Sequence, residues 1–168
     1  MTKYKNILLP LDFSSFSDNI FYFGCMISRH EKATLHLIHV IDLSYQSESI
    51  KDEFLIELRF KTAREELNKF TLEIPHEEVA IKPVIKYGNL VEEILTYSKQ
   101  NKIDLVLINN YSWKMEEYSN ILRELDHSLF TNRIPVIFFS ENNSHSLKHF
   151  LNFRDNRTAK NNLLFSYS

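Results

Sequence analysis

Residues 4–14 read Tyr4-Lys5-Asn6-Ile7-Leu8-Leu9-Pro10-Leu11-Asp12-Phe13-Ser14. The short apolar run from Asn6 to Leu11, with no polar residue alternating through its centre, is the pattern of a strand covered on both faces. Four more such runs follow: Ala33 to Ile41, Val79 to Ile85, Asp104 with Leu105-Val106-Leu107-Ile108, and Pro135 to Phe139. Between them apolar residues recur at helical spacing. Phe16, Ile20, Phe23 and Ile27 make one stripe; Ile56, Phe60, Ala63, Leu67, Phe70 and Ile74 make a longer one. Val91, Ile94 and Leu95 form a third, and Ile121, Leu122, Leu125 and Leu129 a fourth. Five strands alternating with four helices imply an α/β fold with a mainly parallel sheet sandwiched by helices.

Local signals agree. Ser49 stands three before Asp52, and Asn89 three before Glu92, each the spacing of a capping box. Gly88 suits a tight strand-to-helix turn. Pro83 has no amide hydrogen to donate, which places the third strand at a sheet edge. Ligands of open parallel sheets bind beyond the carboxyl ends of the strands, where the strand order reverses. That assigns any pocket to Pro10–Ser15, Val40–Tyr45 and Asn109–Tyr118.

Composition narrows the function. The chain has 168 residues, 43% hydrophobic and 25% charged, which fits one ordinary domain and excludes a disordered chain. Its 2 glycines compare with about twelve expected at average usage, so a glycine-rich phosphate loop is disfavoured. A net charge of -2 creates no field drawing the chain to nucleic acid or to a membrane. The lone Cys25 has no partner for an internal disulfide and reads as a small buried hydrophobe, and a cytoplasmic location is expected. No apolar run is long enough for a signal peptide or membrane span. Residues 1–140 are expected to form the domain and 141–168 a polar, weakly basic tail that carries Lys148, Arg154, Arg157 and Lys160 against Glu141 and Asp155.

No catalytic constellation emerges. His36 and His39 are three apart in a strand, so they face opposite sides and cannot share a metal. His145 and His149 could share a helix face but have no third ligand. Asp126-His127-Ser128 holds triad residue types, but consecutive helical positions diverge. The expectation is no enzyme and no metal site.

The residues resemble the universal stress protein family. Tyr4 to Ser14 is similar to that family's first strand, and Leu35-His36-Leu37-Ile38-His39-Val40 to its second. Gly88-Asn89-Leu90-Val91-Glu92-Glu93-Ile94-Leu95 resembles its turn into the third helix. Asp104 to Ile108 and Pro135-Val136-Ile137 resemble its last two strands. The resemblance covers about residues 3–139. It implies a Rossmann-like sheet of order 3-2-1-4-5, of the adenine nucleotide alpha hydrolase type, and a stress-response role.

Many members bind ATP through a motif of glycine, two residues, glycine, nine residues, then glycine with serine or threonine. Laid on this chain, those positions are Asn109, Ser112, Leu122 and Arg123. All three glycines are absent. Glu116 and Glu117 between them would repel a triphosphate. Asp12, whose counterpart contacts ribose, and Val40, near the adenine-contacting strand end, remain. The resemblance therefore implies a vestigial pocket of Pro10, Asp12, Val40, Asn109, Ser112 and Arg123, without cofactor, residual ATP or AMP binding being the alternative. Asp12 could equally be a first-turn acid near the following helix. Tyr111, Trp113 and Tyr118 either line a remodelled pocket or cover the sheet end. Arg123 and Lys114 either meet an anion at the fourth helix or are surface charges.

In the family the last strand pairs with its twin. That implies a homodimer through Val136, Ile137, Phe138 and Phe139, with Phe138 and Phe139 as bulky contact surface and an unidentified protein as further partner. The alternative cover for this edge is the tail, through Leu147 to Phe153.

Overall fold

A computed structural model describes residues 3–14, 17–42, 53–73, 78–109 and 116–139. The elements in chain order are β1 (Asn6–Pro10), α1 (Ser17–Glu31), β2 (Thr34–Asp42), α2 (Glu53–Glu73) and β3 (Ala80–Gly88). Then come α3 (Leu90–Gln100), β4 (Leu105–Asn109), α4 (Glu116–Thr131) and β5 (Val136–Phe139). All four strand pairings are parallel, in the order β3-β2-β1-β4-β5. The five strands, four helices and strand order match the sequence reading. Pro83 lies in edge strand β3, where no neighbour beyond it asks for an amide. That strand runs to Gly88, three residues past the expected Ile85, because its ladder with β2 continues to Asp42 opposite Gly88.

Strand parity sorts the core into two layers. Ile7, Leu9, Leu35, Leu37, Leu105 and Leu107 pack with Ile20, Phe21, Phe23 and Ile27 of α1 and Leu67 of α2. On the other face Leu8, Ile38, Val40, Val106 and Ile108 pack with Val91 and Ile94 of α3 and Leu125 and Leu129 of α4. The α1 helix approaches closely at Gly24, where a Cβ would lie 3.3 Å from methyl carbons of both Leu35 and Leu107.

The amino ends of the strands are tied by carboxylates. Asp104 accepts from the Lys5 and Asn6 amides at 2.7 and 2.9 Å, and buried Glu31 accepts from the Lys3 amide at 2.6 Å. His36 sits behind them, buried, with Nε2 donating to Asn6 Oδ1 (3.3 Å) and Nδ1 accepting from the Tyr97 hydroxyl (2.8 Å). These partners fix one neutral tautomer. Burial chiefly, and Lys82 secondarily, lower the His36 pKa to about 4. His39, on the opposite face, donates from Nδ1 to the Leu11 carbonyl at 2.8 Å. Both histidines are therefore structural, as the spacing suggested. Cys25 is buried, and burial pushes its thiol up to about 11, Arg29 opposing weakly.

Three helices end without glycine. After α1, α3 and α4 the chain turns at Lys32, Lys102 and Arg133, with φ of 54°, 50° and 58°. Each is followed by an apolar residue whose amide bonds back five positions: Ala33 to Ser28, Ile103 to Ser98, Ile134 to Leu129. This is the Schellman motif with a cation at the left-handed position. The positive side chain complements the carboxyl end of the helix dipole and partly offsets the roughly 1 kcal/mol that a left-handed L-residue costs.

Phe16, the Ser49–Asp52 box, Ile74, the segment 110–115 and the tail 141–168 with His145 and His149 lie outside the described residues.

Candidate functional site

Strands β2 and β3 lie on one side of β1, and β4 and β5 on the other, so chain direction across the sheet reverses between β1 and β4. Those two strands are matched only at Ile7–Leu105 and Leu8–Val106. Beyond that, their carboxyl ends part. Pro10 and Asn109 end the two strands, Asp12 follows β1, and Val40 lies near the end of β2. The topology thus brings four of the expected site residues to one edge of the sheet.

Their side chains differ in availability. Val40 is buried in the α3/α4 layer and Asn109 is 5% exposed. Asp12 is at the surface, where its Oδ1 accepts from the Ser14 amide and the Ser17 hydroxyl, both at 3.0 Å. That is an Asx turn leading into α1. Phe13, between them, has φ 56°, rare for a bulky residue. Its ring lies 4.6 Å from the His39 ring and 6.3 Å from Phe70, which is what holds it there. The sequence reading passed over Phe13. The left-handed backbone of an aromatic has no signature in residue type.

The remaining expected residues are not brought to this edge in the described structure. Ser112, with Tyr111, Trp113 and Lys114, lies outside the described residues, as does the side chain of Tyr118. Arg123 is exposed and eighth in α4, about 10 Å along the axis from its start at 1.5 Å per residue. Arg123 thus stands well inside α4 rather than at its amino end. That helix begins earlier than its apolar stripe suggested, and its first turn carries Glu116 and Glu117.

Among the described residues no group of three or more His, Cys, Asp or Glu could hold a metal ion. Asp126, His127 and Ser128 are successive residues of α4 and point apart. The groups with shifted pKa values, Cys25, His36 and Tyr97, are buried in the layers rather than at this edge.

At β5, Val136, Ile137 and Phe138 are half-buried. Phe139 is not contact surface: it is 6% exposed, with its ring 5.2 Å from Phe23 of α1. Parity sends it into the α1 layer, so only its backbone is left to the edge.

The universal stress protein family model matches residues 3–111 of this chain. The chain belongs to the universal stress protein family. Solved structures of that family extend the likeness beyond residue 111. One, from Burkholderia pseudomallei, aligns with a TM-score of 0.63 at 16% identity, covering 83% of this chain and 98% of its own. UspA from Lactobacillus plantarum aligns at 0.58 and 22% identity, over 83% and 100%. The protein from Archaeoglobus fulgidus, solved in complex with dAMP, aligns at 0.55 and 14%, over 82% and 99%. At these identities they show the fold. No curated protein matches the chain. No helix among the described residues of this family member is long and apolar enough to cross a membrane.

Proposed function

We propose that this universal stress protein is a non-catalytic regulatory or protective protein of the cytoplasm, working as a homodimer and not holding ATP through the family's phosphate motif. The carrying observation is the placement of Leu122 and Arg123 inside α4, behind an acidic first turn. A phosphate group needs exposed amides at a helix start and close backbone approach. Here the motif's last pair lies in a continuous helix, whose amides are already engaged. At the strand ends Asp12 is engaged in its own turn with the Ser14 amide and the Ser17 hydroxyl, and Asp42 ends β2. Recognition of another protein is the activity that such a surface supports. The lone buried cysteine favours a reducing compartment.

Titration calorimetry with ATP, ADP and AMP in magnesium tests this reading. Flat heats are expected for all three, together with no phosphate release above background. Micromolar binding lost in Asp12→Ala would overturn it in favour of a second reading, an adenine-nucleotide switch. Asp12 and Val40 at the carboxyl edge, and the dAMP held by the Archaeoglobus fulgidus relative, favour that second reading.

The homodimer would form along β5, which has β4 on one side and no strand on the other among the described residues. Ile137 packs partly on the α1 layer, so Ile137→Lys is expected to remove the dimer and lower stability together. Light scattering checks it, and a monomeric parent chain sinks the idea.

A further inference from the structure

We propose that the end of the domain where the strands begin is a membrane-docking face, which holds the chain end-on against an anionic lipid surface. Three cations stand there at positions whose backbone favours glycine: Lys32, Lys102 and Arg133, with φ of 54°, 50° and 58°. Lys5 immediately precedes β1. Hydrogen bonds fix their order. The Lys5 carbonyl accepts from the Thr34 amide, two residues past Lys32, at 2.8 Å. The Asn6 side chain donates to the Lys102 carbonyl at 3.3 Å, and the Pro135 carbonyl, two residues past Arg133, accepts from the Val106 amide at 2.9 Å. The four cations thus follow the strand order β2-β1-β4-β5, a row about 15 Å long at the usual spacing of neighbouring strands. Exposed Lys3 and Lys99 flank it.

All four cations of the row are exposed, and none is in an ion pair among the described residues. The carboxylates of this end are turned to other partners. Asp104 accepts from the Lys5 and Asn6 amides, Glu31 from the Lys3 amide, and Glu78 faces Arg29 at 3.7 Å. Complementing the helix dipoles accounts for part of this pattern but not for its extent. The last turns of α1 and α3 already carry Arg29 with His30, and Lys99, while Lys5 belongs to no helix. Glycine would end each helix with less backbone strain. At the opposite end of the sheet stand Asp12 and Asp42, with Asp18, Glu53, Glu92 and Glu93 in the first turns of α1, α2 and α3. The net charge of -2 is therefore an average over two unlike ends.

The chemistry of this face favours a lipid surface over a nucleic acid. Of Lys3, Lys5, Lys32, Lys99, Lys102 and Arg133, only one is an arginine. Lysines are strongly hydrated point charges suited to a plane of headgroups, whereas nucleic-acid recognition leans on the planar fork of arginine. Beside the row, Phe130 is 79% exposed, its carbonyl accepting from the Arg133 amide at 2.9 Å. Its ring has no polar handle and enters the acyl boundary while the cations stay at headgroup level, which supplies the two signals that attachment needs. Separation of charge along the strand direction orients the chain, because an anionic plane attracts this end and repels the other. Attachment is reversible and salt-dependent, each cation near the surface contributing about fivefold in affinity. The face uses no residue of β5 and none of the expected pocket, so it stands apart from the function proposed above.

Co-sedimentation of the full chain with phosphatidylcholine vesicles, with and without phosphatidylserine, tests this. At low salt, binding is expected to the vesicles that contain phosphatidylserine and not to the neutral ones, with release as salt rises. The decisive variant combines Lys32→Gly, Lys102→Gly and Arg133→Gly. Glycine suits all three left-handed positions, so the thermal transition is kept while affinity drops about a hundredfold. A purely structural role for these cations would leave vesicle binding unchanged. Lys5→Gln, which alters no helix end, is expected to weaken binding about fivefold, and Phe130→Ser about tenfold. The proposal is overturned if the parent does not sediment with phosphatidylserine vesicles at low salt, or if the glycine variant or Lys5→Gln binds like the parent. Tighter binding of the parent to single-stranded RNA than to those vesicles overturns it as well.

Discussion

Gly24→Leu is expected to cost about 3 kcal/mol, a large share of the 5–15 kcal/mol that holds a domain of this kind together. At Gly24 the α1 helix lies against β2 and β4, and a bare Cβ would already stand 3.3 Å from Leu35 and Leu107 methyl carbons. Both leucines are wholly buried, so the rest of a leucine side chain has nowhere to go without lifting the helix. Phe21, Phe23 and Ile27 on the same helix would lose their seating together. Gly24→Ala is the control. Its single methyl asks the Leu35 and Leu107 methyls 3.3 Å away to give by only a few tenths of an ångström, and the helix gains about 1 kcal/mol of propensity, so it should fall within about 1 kcal/mol of the parent. Urea unfolding with an unchanged slope distinguishes the two; equal stability of Gly24→Leu and the parent would refute the packing argument.

The second large effect is on pH. His36 stays neutral in the folded chain down to about 4, while in the unfolded chain it takes up a proton near 6.5. Between those values the unfolded state holds the extra proton, so stability falls as pH drops from 6.5 to 4. Above 6.5 this contribution is constant. The full span corresponds to about 3 kcal/mol, of which about 2 kcal/mol is lost by pH 5, before most carboxylates titrate. Protonation would turn the Nδ1 acceptor into a donor facing the Tyr97 hydroxyl and add a cation near Lys82. His36→Gln, which keeps a polar side chain there, should flatten the slope between pH 6.5 and 5. An unchanged slope in that variant would assign the acid sensitivity elsewhere.

What the sequence disclosed follows from how each feature is encoded. Unbroken runs such as Leu105 to Ile108 announce strands because burial on both faces leaves no room for polar residues. Pro83 disclosed its edge through a missing donor. Asn89 behaved as its spacing indicated, accepting from the Glu92 amide at 3.1 Å and capping α3 directly after Gly88, whose φ of 137° needs glycine. Helix ends were harder. The chain ends α1, α3 and α4 with Lys32, Lys102 and Arg133, whose cations look like ordinary surface charge. The repeated pair of a basic and an apolar residue at the end of a helical stripe was the available signal. For the site, residue types located the carboxyl edge but not the side chains there. Asp12 closes its own turn, Phe139 is consumed by Phe23, and the early start of α4 moves Arg123 away from the helix end. Those outcomes depend on parity and on where a helix begins, to within a few residues, which periodicity alone leaves loose.

The reversal of chain direction between β1 and β4 has a consequence during translation. Residues 6–88 emerge as three strands that pair with sequence neighbours, but the other edge of β1 waits for β4, and Lys5 and Asn6 wait for the carboxylate of Asp104. Until roughly a hundred residues have left the ribosome, the edge of β1 from Asn6 to Leu8 that β4 will cover presents unpaired backbone groups to whatever is nearby, the situation in which nascent chains stick to one another. A protein whose family serves cells under stress thus carries, at the centre of its own sheet, a strand that nascent-chain chaperones have reason to guard.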